Sequence, residues 1–586
     1  MENLDVARAL KDLADLLEIQ GANPFRIRAY QNAVRTVEGL TRPLRAMVEA
    51  GEALTELPAI GKDLAEHITE LVTTGRMTRL ETLAAEFPRS LVELMRLEGV
   101  GPKKARKLFD QLGVRTVDDL EAALKAGRVE TLEGFGKKSC EKILRAIGEH
   151  RKHVGRFLLD DVEQLLSPVL EHVGAAPGVE RVRVAGSFRR RKETIGDVDL
   201  LALCDGDGTP VVEHFVAYPG AARVEAAGGT KGNIVLPSGL SIDLRVIPTR
   251  SFGAALQYFS GSKEHNVAMR TRAVRKGLRV NEWGVFRVPE GVDPDSLGKE
   301  DGERVAGGTE EGVYEALGMA WVPPELRENR GEVEASLDGT LPELVTPGDI
   351  RGDLQMHSTW SDGKAPLEEM VRACAERGYE YLAMTDHSQA MAMVGGLTPE
   401  RARAQWEEVA EVQERVPGIR ILRSAEVDIL KDGTLDLPDE ILAELDVVVV
   451  SVHSFMDMDK ATMTERVLRA VRHPAVDILA HPTGRILNRR EPYEMDVEAV
   501  LAACAEQGVA VELNAHPHRL DLSDAHVRRA KELGIKVVIS TDAHAPRELD
   551  NMRFGVDQAR RGWLEAGDVL NAMGLEDFEG WLARRA

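Results

Sequence analysis

Cysteine, long apolar runs and a basic surplus are what this sequence of 586 residues lacks. Its four cysteines, Cys140, Cys204, Cys374 and Cys504, lie far apart with no Cys-x-x-Cys. Neither a disulfide framework nor a thiolate zinc site is therefore expected. No run of about 18 apolar residues occurs, so no helical membrane span is expected. The acidic start Met1-Glu2-Asn3-Leu4-Asp5 is unlike a secretory signal. A reducing cytoplasm is the expected setting. Lys and Arg total 75 against 97 Asp and Glu, a net charge of −22, and most of the acid falls after residue 340. That balance looks wrong for a nucleic-acid protein but excludes little. An acidic domain can work beside a phosphate polymer when metal or local basic patches intervene.

The length implies roughly three to five domains. The most informative segment is Gly186-Ser187-Phe188-Arg189-Arg190-Arg191-Lys192-Glu193-Thr194-Ile195-Gly196-Asp197-Val198-Asp199. Asp199 leads into the apolar run Leu200 to Leu203, which reads as a strand. Alternation along a strand puts Asp197 and Asp199 on one face. Two adjacent carboxylates repel unless a cation separates them. Magnesium suits the place, because it takes hard oxygen ligands and keeps sites open for phosphates. Upstream, Gly186-Ser187 lets backbone N–H groups approach a phosphate, and Arg189 to Lys192 supply positive charge. A third carboxylate, Asp243, sits in the alternating strand Ser241-Ile242-Asp243-Leu244-Arg245. Three carboxylates predict a two-metal site of Mg2+ or Mn2+. There Asp197 and Asp199 bridge the metals, and Asp243 helps activate a primer 3′-hydroxyl.

The first 150 residues read as short amphipathic helices with three Gly-containing hairpins: Leu57-Pro58-Ala59-Ile60-Gly61-Lys62, Leu97-Glu98-Gly99-Val100-Gly101-Pro102-Lys103-Lys104 and Leu132-Glu133-Gly134-Phe135-Gly136-Lys137-Lys138. Such a hairpin exposes N–H groups at the start of its second helix and binds a DNA phosphate without reading a base. Gly61, Lys62, Gly99, Gly101, Lys103, Lys104, Gly134 and Gly136 are the expected DNA contacts. After the prolines of residues 323–349, strand-like and helix-like runs alternate, predicting a parallel, barrel-like α/β domain. It holds nine of the fifteen histidines, most of them just after an apolar run. Catalytic residues of barrels collect at such strand ends. Histidines interleaved with carboxylates suit Zn2+ or Mn2+.

Several separated motifs carry a resemblance. Gly186-Ser187-Phe188-Arg189-Arg190, Gly196-Asp197-Val198-Asp199, Ile242-Asp243-Leu244-Arg245 and Tyr258-Phe259-Ser260-Gly261-Ser262, followed by Asn266, Arg270 and Asn281-Glu282, resemble the family X DNA polymerases over residues 1–320. The resemblance implies that Gly186, Ser187, Arg190 and Gly196 hold an incoming deoxynucleoside triphosphate. It also implies that Tyr258, Phe259 and Gly261 back its sugar, and that Asn266 and Arg270 follow the minor groove. Lys263 departs from the family, which carries an acidic residue there in the vertebrate enzyme. Aligning the first hairpin places Asp63 and His67 where lysines serve a deoxyribose phosphate lyase. Tyr30 is retained but the nucleophile is not, so weak or absent lyase activity is expected.

Asp353-Leu354-Gln355-Met356-His357, Thr385-Asp386-His387, Ala425-Glu426-Val427-Asp428, Ser451-Val452-His453, Ala480-His481-Pro482 and Thr541-Asp542-Ala543-His544 resemble the polymerase and histidinol phosphatase (PHP) domain over residues 350–550. The resemblance implies up to three ions, the first held by His357, Glu426 and Asp542. Glu426, His453 and His481 would hold the second, and Asp362, His387 and His544 the third. Gln355 stands where the family's first histidine belongs, so the first ion is expected to bind weakly or to prefer manganese. His473, His516, His518 and His526 match no ligand position.

The expected architecture is multidomain: a helix-hairpin-helix N-terminal region, an α+β nucleotidyltransferase core and a C-terminal α/β PHP barrel. The expected segments are residues 1–90, an N-terminal DNA-binding domain, and 91–150, a second hairpin subdomain. A palm over 151–260, a nascent base-pair-binding subdomain over 261–322, a linker over 323–349 and a PHP domain over 350–586 follow. The expected function is short-gap filling in DNA repair on gapped or primed duplex DNA, with a 3′-5′ exonuclease or 3′-end phosphoesterase attached. A monomer in the cytoplasm, at the nucleoid, is expected. Competing expectations are a PHP domain that is only structural, a scaffold at DNA ends, and a nucleotidyltransferase acting on RNA or small molecules.

Overall fold

The computed structural model describes residues 3–583 apart from positions 39, 41, 89, 96, 98, 99, 153–155, 290, 293–295 and 489. The chain divides into two compact units, Met1–Gly155 and Arg156–Ala586.

The first unit is helical around one apolar core that runs from Val6 to Ile147. Its hairpins share one turn geometry. Ile60, Val100 and Phe135 donate their N–H to Leu57, Leu97 and Leu132 at 3.2, 3.0 and 3.1 Å. In the first two, a glycine with extended backbone, Gly61 or Gly101, caps the following helix, Lys62–Thr74 or Pro102–Leu112. Neither cap side chain occupies the first-turn N–H groups. Gly134 takes a φ of 89° in the third hairpin, and Ala59 takes 60° at the same place in the first. Gly99, the matching residue of the second hairpin, lies outside the described residues.

The second unit starts with a five-stranded sheet. Its order is Arg181–Val184, Asp197–Leu203, Ser241–Ile247, Lys231–Val235 and Arg223–Gly228. Only the Asp197–Leu203 and Ser241–Ile247 pair is parallel. Alternation sorts the residues as the sequence pattern predicts. Val198, Leu200, Ala202, Ile242, Leu244 and Val246 face helices Leu159–Gly174 and Thr209–Val216. Leu201, Leu203 and Ile247 pack on the other face, against helix Phe252–Ser260. Asp197, Asp199 and Asp243 share that second face at its open end.

A three-stranded antiparallel sheet, Leu278–Asn281, Gly284–Arg287 and Glu303–Ala306, follows with helices Lys263–Arg275 and Glu310–Ala316. The proline-marked residues 323–349 join this layer: Leu326, Val333 and Leu344 are in its core, and Glu332–Asp338 is helical. Seven parallel strands in sequential order then run from Gly352–Asp353 to Val537–Ser540. A bridge from Met356 to Ala543 draws the first strand toward the last and nearly closes a barrel. Leu520 and Phe554 of this domain sit in the same apolar cluster as the five-stranded sheet, which fuses the two layers into one body. Helix Met552–Arg561 and the terminal helix Leu575–Ala583, whose Phe578 is fully buried, carried no motif in the sequence. Among the described residues no helix is long and apolar enough to cross a membrane.

Candidate active sites

The first site forms where the two parallel strands end. Register places Asp199 directly beside Asp243, and Asp197 beside Ser241. Burial, then Asp197 and Asp243, push the Asp199 carboxyl up to about 6. Like charges held this close are an arrangement that a bound cation relieves. Gly186 abuts the group: a Cβ there would stand 2.7 Å from Asp199 Oδ2, and its φ is +65°. A cavity of about 800 Å³ opens at Asp197 and Asp199, lined also by Ser187, Arg190, Lys192, Phe259, Gly261 and Lys263, with Asp243 beside Asp199 but outside the lining.

The basic run divides its labour. Arg189 forms a two-pronged pair with Glu310 at 2.7 and 2.6 Å, and Arg191 pairs with Glu163 and Asp557. Only Arg190 and Lys192 of the run face the cavity. Arg190 Nη1 donates to the Ser260 carbonyl at 2.9 Å and Nε to Glu328 at 3.0 Å. Asn266 braces the aromatic segment instead of standing free, its Nδ2 donating to the carbonyls of Tyr258 and Gly261 at 2.7 and 3.2 Å. Gly261 has room only as glycine, since a Cβ would lie 2.9 Å from Asn266 Oδ1. Phe259 carries the Arg245 guanidinium 4.6 Å from its ring centre. Exposed Arg270 donates to the Asn266 carbonyl. Gly196 precedes Asp197 and does not line the cavity. Sequence reasoning missed Glu328, Asp524, Gln558 and Arg561. They reach the site from far along the chain, and nothing local marks them.

The second site gathers at the C-terminal ends of the barrel strands. His357, Asp362, His387 and His544 bring ligand atoms within 4.8 Å of one another, as do His387, Glu426 and His453. His481 Nε2 lies 2.9 Å from Glu426 Oε1, and His357 Nε2 lies 3.1 Å from Asp542 Oδ1. The eight side chains thus form one continuous cluster in which His357, His387 and Glu426 link neighbouring groups. Buried imidazoles facing carboxylates at this spacing fit zinc or manganese. Burial pulls His387 down, but Glu426 and Asp362 lift it to about 9. Asp362 and Asp542 raise His544 equally, against its burial. His481 and Asp542 hold positive φ values of 27° and 54°, strained backbone of the kind that clusters at functional sites.

Supporting groups were less legible. Asp428 accepts from the His453 backbone N–H and lies 3.2 Å from its Nδ1, orienting the ring. Glu512 accepts from the His481 N–H at 2.7 Å, and Asn514 Nδ2 donates to Asp542 at 3.0 Å. Both come from strand Ala510–Asn514, the one barrel strand from which no ligand was expected. Gln355 is buried, and neither of its amide atoms has a hydrogen-bond partner among the described residues. His473 pairs with Asp439 and His526 with Ser523, away from the cluster. His516 and His518 stack beside Arg519, whose Nε is 3.5 Å from Asp542.

In the first unit Gly61, Lys62, Gly101, Lys103, Gly134 and Gly136 are exposed. Lys104 Nζ lies over the Phe135 ring at 5.1 Å, which ties the second hairpin to the third. Tyr30 Oη and His67 Nδ1 are 3.1 Å apart.

A carboxylate-bearing sheet beside a basic cavity and a barrel whose histidines and carboxylates are spaced to hold metal, in one body, define a protein with two candidate sites suited to phosphate chemistry. Family models match in chain order: a helix-hairpin-helix domain at residues 1–77, a SAM-like helix-hairpin-helix tandem at 91–149, the DNA polymerase beta thumb at 255–328 and the PHP domain at 353–516. The chain is 39% identical to the DNA polymerase/3′-5′ exonuclease PolX of Bacillus subtilis (strain 168) over 586 residues, covering 100% of both chains. DNA polymerase lambda of Arabidopsis thaliana is 27% identical over 324 residues, 51% of this chain and 57% of that one. A protein of Thermoanaerobacter sp. (strain X514) named as a probable phosphatase is 28% identical over 225 residues, 36% of this chain and 87% of that one. The chain belongs to the bacterial family X DNA polymerases that carry a C-terminal PHP domain.

Proposed function

We propose that this protein fills short gaps in DNA by templated nucleotidyl transfer at Asp197, Asp199 and Asp243, and trims 3′ ends at its PHP cluster. The observation that carries the polymerase half is Asp199, paired in register with Asp243, in the wall of a cavity lined also by Asp197, Ser187, Arg190 and Lys192. In this reading Arg190, Lys192 and the Ser187 backbone take the triphosphate oxygens. Gly261 and Phe259 set the height of the sugar. Asp243 accepts the proton of the primer 3′-hydroxyl at a carboxylate oxygen while the primer 3′-oxygen bonds the α-phosphorus. The bond from the α-phosphorus to pyrophosphate breaks in the same displacement. Magnesium or manganese, held by the three carboxylates, would neutralise the charge that develops there. The hairpins grip the DNA backbone without base readout, which suits a gap of any sequence.

At the barrel the cluster would use zinc or manganese to activate water and polarise the terminal phosphodiester. Arg519, beside Asp542, is placed to hold the phosphate. Deoxyribose phosphate lyase activity is weak or absent, because Asp63 and His67 replace the lysines and His67 is engaged with Tyr30. Borohydride trapping on an incised abasic site tests this point, and efficient trapping would overturn it. The protein acts as a monomer on nucleoid DNA in the cytoplasm.

The test of the two-site reading uses the full chain with Asp197→Ala and Asp199→Ala. Incorporation on gapped DNA should vanish, while manganese-dependent release of 3′ nucleotides continues. Loss of both activities in a folded protein sinks the separation of the sites.

A further inference from the structure

The wall of the polymerase cavity is not all polymerase. Asp524, Gln558 and Arg561, all from the barrel domain, line it beside Ser187, Arg190 and Asp199. Arg561 ends helix Met552–Arg561 and is only 4% exposed. Its Nη2 donates to Asp524 at 2.6 Å, and its Nη1 to the Arg190 carbonyl at 2.7 Å and to Glu328 at 3.1 Å. Arg330 joins from the other side, pairing with Asp524 at 3.1 Å.

Glu328 is the pivot of this network. One of its oxygens, Oε1, meets Arg190 Nε at 3.0 Å, Arg561 at 3.1 Å and Lys192 Nζ at 3.8 Å. Burial alone would push this carboxyl up, but Arg561, Lys192, Arg190 and Arg330 together hold it down at about 2. A fixed anion thus shares Arg190 and Lys192, two of the cations that line the cavity. It competes directly with any phosphate that enters. An anion held by a third cation competes less, because its charge is already matched. Both Nη atoms of Arg561 are engaged with protein acceptors, so this side chain acts through Glu328 and Arg190 and not on a substrate.

We propose that Arg561 is a positioning residue for nucleotide binding: the barrel domain holds Glu328 and the Arg190 carbonyl so that Arg190 and Lys192 can turn to the triphosphate. The C-terminal domain is then a working part of the polymerase pocket as well as the seat of a second reaction. This inference rests on the reading of the cavity as the triphosphate site.

Steady-state incorporation on gapped DNA by the full chain tests it, with KM for the deoxynucleoside triphosphate separated from kcat. Arg561→Gln should raise KM about tenfold, the size of one partly buried charge contact, with kcat within about twofold. Glu328→Gln should lower KM, because the competing anion is gone. Combining the two should give a KM between the single variants and nearer that of Glu328→Gln, since only the Arg190 carbonyl and Asp524 are left for Arg561 to hold. Manganese-dependent 3′ release should stay level in all three. An unmoved KM in Arg561→Gln, a shift of both single variants in the same direction, or a parallel fall of 3′ release would overturn the proposal. If Arg561→Gln does not fold, Glu328→Gln decides alone, and an unchanged or raised KM there overturns the proposal. Wild-type protein that neither binds nor incorporates nucleotide would overturn the reading of the cavity and this inference together. Wild-type activity with an insensitive Arg561→Gln overturns the inference alone.

Discussion

The two candidate sites are built on opposite plans. The polymerase carboxylates come from two neighbouring strands, where one register match sets Asp199 against Asp243. The barrel cluster draws His357, Asp362, His387, Glu426, His453, His481, Asp542 and His544 from the ends of six of the seven strands. A site on two strands is fixed by local pairing and is sensitive to a change of an ångström. A site spread around a barrel is fixed by closure of the whole domain, and any one ligand can go without loss of the fold. Each plan predicts its own pattern of damage.

The largest effect should come from the ligand shared most widely. Glu426 lies within 3.6 Å of His357, His387, His453 and His481. Glu426→Gln should therefore lower manganese-dependent 3′ release by roughly a thousandfold or more, since it removes a carboxylate that four of the five histidines of the cluster share. Polymerisation should stay within about twofold. A parallel fall in polymerisation would mean that the barrel cluster supports the first site more directly than the geometry indicates.

The two-strand site should break at Gly186. An added Cβ meets Asp199 Oδ2 at 2.7 Å, and the φ of +65° disfavours any L side chain. Gly186→Ala should lower kcat/KM for nucleotide by roughly a hundredfold by displacing Asp199, with the melting temperature little changed. Assay of polymerisation beside 3′ release checks it. Equal loss of both would show a general fold defect instead.

Gln355 sharpens the contrast. Both amide atoms are buried without partners, the state expected of a side chain that stands at an incomplete ligand position. Gln355→His should raise tightly bound metal, counted by elemental analysis, and raise 3′ release roughly tenfold at limiting manganese. Unchanged metal content would show that the first ion does not need this position.

The difference in plan also decides what the sequence discloses. Asp197, Asp199 and Asp243 were legible because strand alternation is a local rule that survives without a fold. Most of the barrel histidines and carboxylates were legible because they follow an apolar run, and runs that end in histidine or aspartate need no partner to be noticed; Asp362, after Trp360-Ser361, follows none. Their grouping came from the family resemblance and not from any local pattern, since His357 and His387 each lie beside residues that the sequence separates by tens of positions. Glu328 and Arg561 were invisible for a stronger reason. They meet across 233 positions, in a proline-marked stretch and a helix that carry no motif. An ion pair between ordinary residues leaves no trace in one chain's sequence.

The smallest expected effect lies in the first unit, where three hairpins repeat one turn and one of them departs from it. Gly134 takes the left-handed conformation at its turn, whereas the first hairpin sets Ala59 there at φ 60°. A Cβ in that region costs about 1–2 kcal/mol, and glycine would give back about 0.4–1 kcal/mol through its freer unfolded chain. Ala59→Gly should thus stabilise the unit by about 0.5 kcal/mol, raising its melting transition by about 1–2 °C. Gapped-DNA affinity should hold, because Gly61 and the N–H groups after it keep their geometry. Destabilisation would mean that the Ala59 methyl makes a contact worth more than its strain, and that the first hairpin is a separate design and not a worn copy of the other two.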